Sequence, residues 1–208
     1  MKFSAFFRSI LLCVCCLLPG ISIAQQQTIL VFGDSLSAAY GIPLDAGWVS
    51  LLQQELQRTQ PQYQIVNASI SGETTSGGLR RLTKALRQHQ PGIVILELGA
   101  NDGLRGIATQ DIEANLGELI KQSRKAGAEV LLLGMQLPPN YGGGFTARFK
   151  ALYPRLAKKY QVAMVPYMLE GIFPEEFQAD NLHPTAAAQT KILHTVLENL
   201  QPLLLSSP

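Results

Sequence analysis

The sequence contains only three cysteines, and Cys13, Cys15 and Cys16 all lie near its N-terminus. The rest of the chain therefore cannot form disulfide bonds, use a thiolate as a nucleophile or bind a metal through sulfur. It also has only three histidines and no His-Glu-x-x-His motif, and it lacks the glycine patterns of phosphate and dinucleotide sites. The sequence thus predicts neither a metal ion nor a cofactor.

A long apolar run lies beside these cysteines and is typical of a secretion signal. Residues 10–18 are all apolar, Lys2 and Arg8 precede them, and the small residues Ser22 and Ala24 follow. The run is too short to anchor the chain in a bilayer. We therefore expect residues 1–24 to be a signal peptide, and the mature protein to be periplasmic or secreted without a stable membrane anchor.

An excess of one charge is also missing from the mature chain. The sequence has 17 basic and 15 acidic residues, but two of the basic ones, Lys2 and Arg8, lie in the predicted signal. The remainder is close to neutral, so nothing predicts binding to nucleic acid. Residues 25–208 contain no linker or repeat and suffice for one domain with a sizeable core. We expect a single domain and a monomer.

Short apolar runs alternate with helical patterns along this domain. Apolar runs predict buried strands at 28–32, 63–68, 93–98, 130–133 and 162–165. Apolar residues at helical spacing predict helices around 48–56, 79–86, 112–120, 145–156 and 192–200. The alternation predicts an α/β protein with a parallel sheet and helices on both faces. Pro154 should kink or shorten the fourth helix, and residues 201–208 should fray.

Small and polar residues follow each predicted strand. They fall in the segments 33–37, 69–74, 99–103, 136–141 and 180–184. In a doubly wound sheet, ligands bind beyond the carboxyl ends of the strands, so these segments should meet at one edge. Together they offer a serine, a histidine with an acid three residues before it, and an asparagine amide. This set of groups indicates acyl transfer by a serine nucleophile.

The chemistry assigns a role to each group. Ser35 needs a base to take its proton, and His183 is the candidate base. Asp180 can reach the imidazole across a turn and fix its tautomer. Pro184 suits the first position of the closing helix. The backbone N–H groups of Ser35 and Gly72 and the side-chain amide of Asn101 could bind the oxyanion.

The same residues resemble the SGNH (GDSL) hydrolase family. The resemblance rests on four blocks in order: Gly33-Asp34-Ser35-Leu36-Ser37, Gly72, Gly99-Ala100-Asn101-Asp102 and Asp180-Asn181-Leu182-His183-Pro184. One branch of this family contains bacterial periplasmic acyl-CoA thioesterases, lysophospholipases and arylesterases. The chain resembles this branch in the longer segments 67–72, 97–99, 101–106 and 137–142. The resemblance covers nearly the whole mature chain.

This resemblance implies both a fold and a site. The fold would be a flavodoxin-like SGNH-hydrolase three-layer α/β/α sandwich with a five-stranded parallel sheet. Ser35, Asp180 and His183 would be catalytic, and Ser35, Gly72 and Asn101 would form the oxyanion hole. Residues 74–79 would move when an acyl chain binds. The implied substrate contacts are Thr75, Ser76, Leu137 and Tyr141.

The implied substrates are small molecules: fatty acyl thioesters, lysophospholipids and simple aryl esters. Two alternatives stay open. A carbohydrate O-deacetylase of the same superfamily would have a short, polar acyl site, whereas a non-catalytic periplasmic binding protein could share the fold. Asp102 is interpreted as structural, holding its loop through backbone N–H groups. Arg105 could meet an anionic head group or play a surface role.

Overall fold

The computed structural model describes residues 26–206, and the predicted signal peptide lies outside them. Its strands are β1 (Gln27–Gly33), β2 (Tyr63–Asn67), β3 (Ile93–Glu97), β4 (Glu129–Leu133) and β5 (Ala163–Val165). All neighbouring strands are parallel, and their order is β2-β1-β3-β4-β5. The strand predictions are confirmed, with ends that differ by one residue from most of those expected.

Seven helices accompany the sheet in the described part of the chain. They are α1 (Trp48–Thr59), α2 (Thr75–His89), α3 (Ala100–Leu104), α4 (Thr109–Lys125), α5 (Gly143–Lys150), α6 (Leu152–Tyr160) and α7 (Gln189–Ser206). Helix α1 packs on α7, whereas α4 packs on both α2 and α6. Because parallel strands are joined by right-handed crossovers, these two groups cover opposite faces of the sheet. The predicted three-layer sandwich with a five-stranded parallel sheet is confirmed.

The core explains why the central strands are so apolar. Strand β3 is buried along its whole length, and β1 is buried from Thr28 onward. A strand covered by helices on both faces cannot expose alternate side chains, so its sequence becomes a continuous apolar run. Helix α2 begins where the Gly77 N–H donates to the Oγ1 of Thr74 over 3.1 Å, which is a regular N-cap.

Three sequence-based expectations about the helices need comment. The expected interruption near Pro154 is confirmed, because the chain forms two helices that meet at Ala151. The expectation that residues 201–208 fray is wrong as far as Ser206, since α7 continues through Pro202. Leu204 is only 4% exposed, and its carbonyl accepts a 2.7 Å hydrogen bond from the Tyr63 hydroxyl.

The third expectation, that Pro184 opens the closing helix, is also wrong. A 3₁₀ turn over Ala186–Ala188 precedes α7, which begins at Gln189. Pro184 instead pairs with Phe177 in an isolated antiparallel bridge. The segment before α7 is therefore a closed loop.

Within residues 26–206, no helix is both long and apolar enough to cross a membrane.

Candidate active site

Ser35, His183 and Asp180 meet at the carboxyl edge of the sheet. Ser35 lies in the turn after β1, and the other two lie in the loop that precedes α7. The Oγ of Ser35 is 2.8 Å from Nε2 of His183. The Nδ1 of the same ring is 2.6 Å from Oδ2 of Asp180. These contacts form a continuous serine–histidine–aspartate chain, the arrangement that activates a hydroxyl nucleophile.

Asp180 also folds the loop that carries His183. Its Oδ1 accepts the backbone N–H groups of Leu182 and His183 over 2.9 and 3.0 Å. The Gln178 N–H donates to the His183 carbonyl over 2.7 Å, and Asn181 takes a left-handed conformation with φ of 55°. One carboxylate therefore fixes both the loop and the imidazole ring.

The hydrogen bonds to Asp180 favour its charged form. Partial burial opposes ionisation, but the backbone and ring N–H groups of His183 and the backbone N–H of Leu182 outweigh it and lower the pKa of Asp180 to about 2. The group is thus an anion at neutral pH and can stabilise an imidazolium.

The expected oxyanion donors stand on neighbouring loops. The Nδ2 of Asn101 donates to Oδ2 of Asp34 over 2.9 Å, which leaves the second hydrogen of that amide for another acceptor. Gly72 has φ of 78°, a conformation that suits glycine. Its loop is tied to the turn that contains Ser35, because the Ile70 N–H donates to the Gly33 carbonyl over 3.0 Å.

Arg105 stabilises the loop that contains Gly72. Its Nη2 donates to the Gly72 carbonyl over 3.0 Å. This contact gives Arg105 a structural role beside the two that the sequence left open, contact with an anionic head group and a surface role. Because the carbonyl of Gly72 is held by Arg105, the orientation of the adjoining peptide groups is constrained.

An apolar cavity of about 140 Å³ opens beside Ser35 and His183. The side chains that line it are largely aliphatic or aromatic. They include Leu36, Leu104, Met135, Leu137, Tyr167, Leu169 and Leu182. Apolar walls beside a nucleophile suit a hydrocarbon chain, since its burial removes apolar surface from water.

Of the four expected substrate contacts, only Leu137 lines this cavity. Tyr141 is exposed, and the Oγ of Ser76 accepts a hydrogen bond from Arg80. Thr75 is fully buried, and its N–H and hydroxyl donate to the two carboxylate oxygens of Asp102 over 2.9 and 2.6 Å. Thr75 therefore joins α2 to α3, and the structural interpretation of Asp102 agrees with these contacts.

Sequence reasoning missed two neighbours of the site. The Tyr40 ring packs against the His183 ring with centroids 4.6 Å apart. A buried acid, Glu97, lies beneath the turn that contains Ser35 and accepts the Asp34 N–H over 3.1 Å. The available signal for Glu97 was an acidic residue at the end of an otherwise apolar strand, since such residues are rarely buried without a purpose.

Glu97 and Asp34 form a buried carboxyl pair. Burial raises the pKa of Asp34 to about 6, although hydrogen bonds from the Leu36 N–H and the Asn101 amide oppose the change. Burial and the nearby charge of Asp34 raise the pKa of Glu97 well above its ordinary value.

Within residues 26–206, no group of three potential ligands among His, Asp and Glu could hold a metal ion.

Comparison with known proteins places this site in context. Residues 31–191 match the GDSL-like lipase/acylhydrolase family. The chain is 46% identical over 202 residues to a protein of Pseudomonas aeruginosa named esterase TesA, covering 95% of this chain and 100% of that protein. It is 40% identical over 205 residues to the thioesterase 1/protease 1/lysophospholipase L1 of Escherichia coli K12, covering 98% and 97%.

A solved structure is similar to this fold. The crystal structure of TesA matches with a TM-score of 0.83 and 47% sequence identity, covering 85% of this chain and 99% of that chain.

Proposed function

Because this chain belongs to the GDSL-like lipase/acylhydrolase family, we propose that it hydrolyses fatty acyl esters and thioesters through an acyl-enzyme on Ser35. The observation that carries this proposal is the unbroken contact chain from Ser35 through His183 to Asp180. The names of the relatives, an esterase and a thioesterase–lysophospholipase, agree with it. Its substrates are small acyl compounds: fatty acyl thioesters, lysophospholipids and simple aryl esters.

In the first half of the reaction, the Oγ of Ser35 attacks the carbonyl carbon while its proton passes to Nε2 of His183. Asp180 holds the ring by Nδ1 and stabilises the imidazolium. The N–H groups of Ser35 and Gly72 and the Asn101 amide bind the oxyanion. When the intermediate collapses, the ester C–O or thioester C–S bond breaks, and His183 protonates the leaving alcohol or thiol.

In the second half, water replaces the leaving group. His183 takes a proton from this water, which attacks the carbonyl carbon of the acyl-enzyme and forms a second tetrahedral intermediate. The bond between this carbon and Oγ of Ser35 then breaks, His183 returns the proton to Oγ, and the free acid leaves. The acyl chain lies in the apolar cavity, against side chains such as Leu104, Leu137 and Leu169. This lining favours chains longer than acetyl, so the O-deacetylase alternative is not preferred. A binding protein would not need the Ser35–His183 contact.

The test is hydrolysis of p-nitrophenyl esters with acyl chains of two to sixteen carbons. We expect the parent to prefer medium or long chains and Ser35→Ala to be inactive on all of them. Ser50→Ala is the matched control, because its hydroxyl is bound to the Leu44 carbonyl away from the cavity. Equal activity of the parent and Ser35→Ala would refute the proposal, and cleavage of acetate alone would favour the deacetylase.

The proposed location of the enzyme is the periplasm or the medium. It rests on the basic start, the apolar run at 10–18 and the small residues before Gln25. N-terminal sequencing of exported protein should find Gln25 as the first residue. Retention of residues 1–24 in the exported protein would contradict a cleaved signal. We further propose that residues 25–208 form one domain that is monomeric, which light scattering after size exclusion can check.

A further inference from the structure

Glu97 occupies an unusual position beneath residues 33–37, the turn that presents Ser35, which we call the nucleophile turn. It is the last residue of β3, opposite Gly33 in the register of the parallel pair, and it is completely buried. Its Oε2 accepts the backbone N–H of Asp34 over 3.1 Å and the hydroxyl of Ser37 over 2.8 Å. These two donors stand on either side of Ser35, so one oxygen atom spans the turn that presents the nucleophile.

The fit around this oxygen is close. A Cβ atom added at Gly33 would lie 2.6 Å from Oε2 of Glu97 and 2.9 Å from Oγ of Ser37. Both distances are shorter than van der Waals contact, so the turn has room for the carboxyl group only because residue 33 is glycine. The carboxyl group and the turn are therefore packed as one unit.

Within residues 26–206, no cation contributes to the surroundings of Glu97. Its Oε1 has no hydrogen-bond partner within the described residues. The groups that face it are the Asp34 carboxyl, the Ser37 hydroxyl and the phenol of Tyr153, whose hydroxyl donates to the Leu98 carbonyl. A buried carboxylate without a cation is strongly disfavoured, and a second carboxylate nearby adds repulsion. A neutral acid avoids both costs.

The turn also connects Glu97 to an expected oxyanion donor. Glu97 holds the Asp34 N–H, and Oδ2 of Asp34 accepts a hydrogen of the Asn101 amide over 2.9 Å. The other oxygen of Asp34 accepts the Leu36 N–H over 3.1 Å. A shift of the Asp34 backbone would thus move both Ser35 and the acceptor that orients Asn101.

We propose that Glu97 is a positioning residue that holds the nucleophile turn as a neutral carboxylic acid, and that Asp34 extends this control to Asn101. The inference rests on the proposed function, since it assigns Glu97 a part in ester hydrolysis by Ser35. Glu97 acts through its contacts with Asp34 and Ser37 and does not touch the substrate.

Two substitutions test whether position 97 needs a hydrogen-bond acceptor or a negative charge. In Glu97→Gln, the amide oxygen can still accept from Asp34 and Ser37, so kcat should stay within about threefold of the parent. Glu97→Met has a similar volume but no acceptor, and it should lower kcat by roughly 10- to 100-fold with little change in KM, because the turn is displaced while the cavity remains. A rise in KM without a change in kcat would contradict a positioning role.

The pH profile gives a readout that a purely structural role would not change. The kcat/KM profiles of the parent and Glu97→Gln should have the same shape near neutral pH, since both proteins are uncharged at position 97. At any pH high enough to ionise Glu97, the parent should fall below the variant, because the ionised carboxylate repels Asp34. If Glu97→Gln loses as much kcat as Glu97→Met across the whole pH range, a charge is required and the proposal is wrong.

The controls keep this test independent of the proposed function. Circular dichroism and thermal melts establish that each variant is folded. Should Glu97→Met not fold, Ser37→Ala removes one of the two donors and should lower kcat several-fold. If the parent hydrolyses esters, Ser35→Ala does not, and Glu97→Met and Ser37→Ala both match the parent, the positioning role is refuted while the proposed function stands. Equal activity of Ser35→Ala and the parent would refute the proposed function itself.

Discussion

Two aspartates near Ser35 have different surroundings, and their pKa values move in opposite directions. Partial burial raises the pKa of Asp180, but three N–H donors overcome this effect and bring it to about 2. Asp34 is nearly fully buried, and the burial brings its pKa to about 6. Asp180 is thus ionised throughout the neutral and weakly acidic range, whereas Asp34 becomes ionised only as the pH approaches neutrality. Asp180 is accordingly suited to stabilise an imidazolium.

The first prediction concerns Asp180→Asn. An asparagine could still accept the N–H groups of Leu182 and His183, so the loop should remain folded. It cannot stabilise an imidazolium, and it favours the ring tautomer that cannot accept the Ser35 proton. We expect kcat on p-nitrophenyl esters to fall on the order of 10³- to 10⁴-fold. Glu129→Gln, at the opposite edge of the sheet, is the control and should match the parent; an active Asp180→Asn would contradict the assigned role.

At this scale, sequence reasoning identified the groups with chemistry but not their neighbours. Ser35, Asn101, Asp180 and His183 were expected at one edge because each follows a strand, and the structure brings them there. Glu97 was missed because it belongs to the strand itself, where its partners come from the adjacent strand end. Thr75 was assigned to substrate, yet both of its donors bind Asp102.

At the scale of elements, hydrophobic periodicity predicted the strands and the longer helices. Helix α3 was not predicted because its five residues are too few to show a helical repeat. The last turns of α7 were missed because the end of a chain was expected to fray. Proline inside a helix removes a backbone hydrogen bond, yet α7 continues through Pro202, and Leu200 and Leu204 continue its buried stripe on either side.

The second prediction tests the end of α7 with two adjacent leucines. Leu204 is 4% exposed and Leu205 is 83% exposed. Leu204→Ala should lower the free energy of unfolding by about 2–4 kcal/mol, because it leaves a cavity against the core. Leu205→Ala should change it by less than about 0.5 kcal/mol. Urea denaturation measures both, and equal effects would show that this part of α7 does not pack as described.

The third prediction concerns the junction of α2 and α3. Thr75→Val keeps the volume of the side chain but removes the donor to buried Asp102, so the free energy of unfolding should fall by about 1–3 kcal/mol. Thr83→Val, on the exposed side of the same helix, is the matched control. KM for p-nitrophenyl esters should be unchanged in both variants. A large rise in KM for Thr75→Val without loss of stability would restore the substrate contact implied by the resemblance.

At the scale of the whole molecule, the fold concentrates its unusual groups at one edge. Helices cover both faces of the sheet, so a buried carboxyl group needs hydrogen-bond partners from the loops at its edge. Asp34, Glu97 and Asp102 are all buried at the carboxyl ends of β1 and β3. These three carboxyl groups are therefore removed from water beside the proposed site. Stability and activity are therefore linked through the same carboxyl groups.

This link gives the molecule a characteristic dependence of stability on pH. The pKa of Asp34 is raised from 3.8 to about 6, so the folded protein retains a proton that the unfolded chain has already released. Its contribution is fully present below pH 3.8 and is lost as the pH rises to about 6. Asp180 acts in the opposite sense, but its pKa of about 2 completes that gain by about pH 4. Between pH 4 and 6 the effect of Asp34 should therefore dominate over that of Asp180.

The fourth prediction isolates this effect by comparing the parent with Asp34→Asn. Urea denaturation at pH 4, 5 and 6 gives the free energy of unfolding of each protein. Glu97 interacts with Asp34, but burial is the largest cause of its raised pKa, so we expect it to stay protonated in both folded proteins across this range. Titrating groups away from this pair contribute equally to both proteins. The parent should therefore lose stability relative to the variant by about 2 kcal/mol between pH 4 and 6. A constant difference across this range, or one that grows in favour of the parent, would mean that Asp34 is ionised in the folded protein already at pH 4.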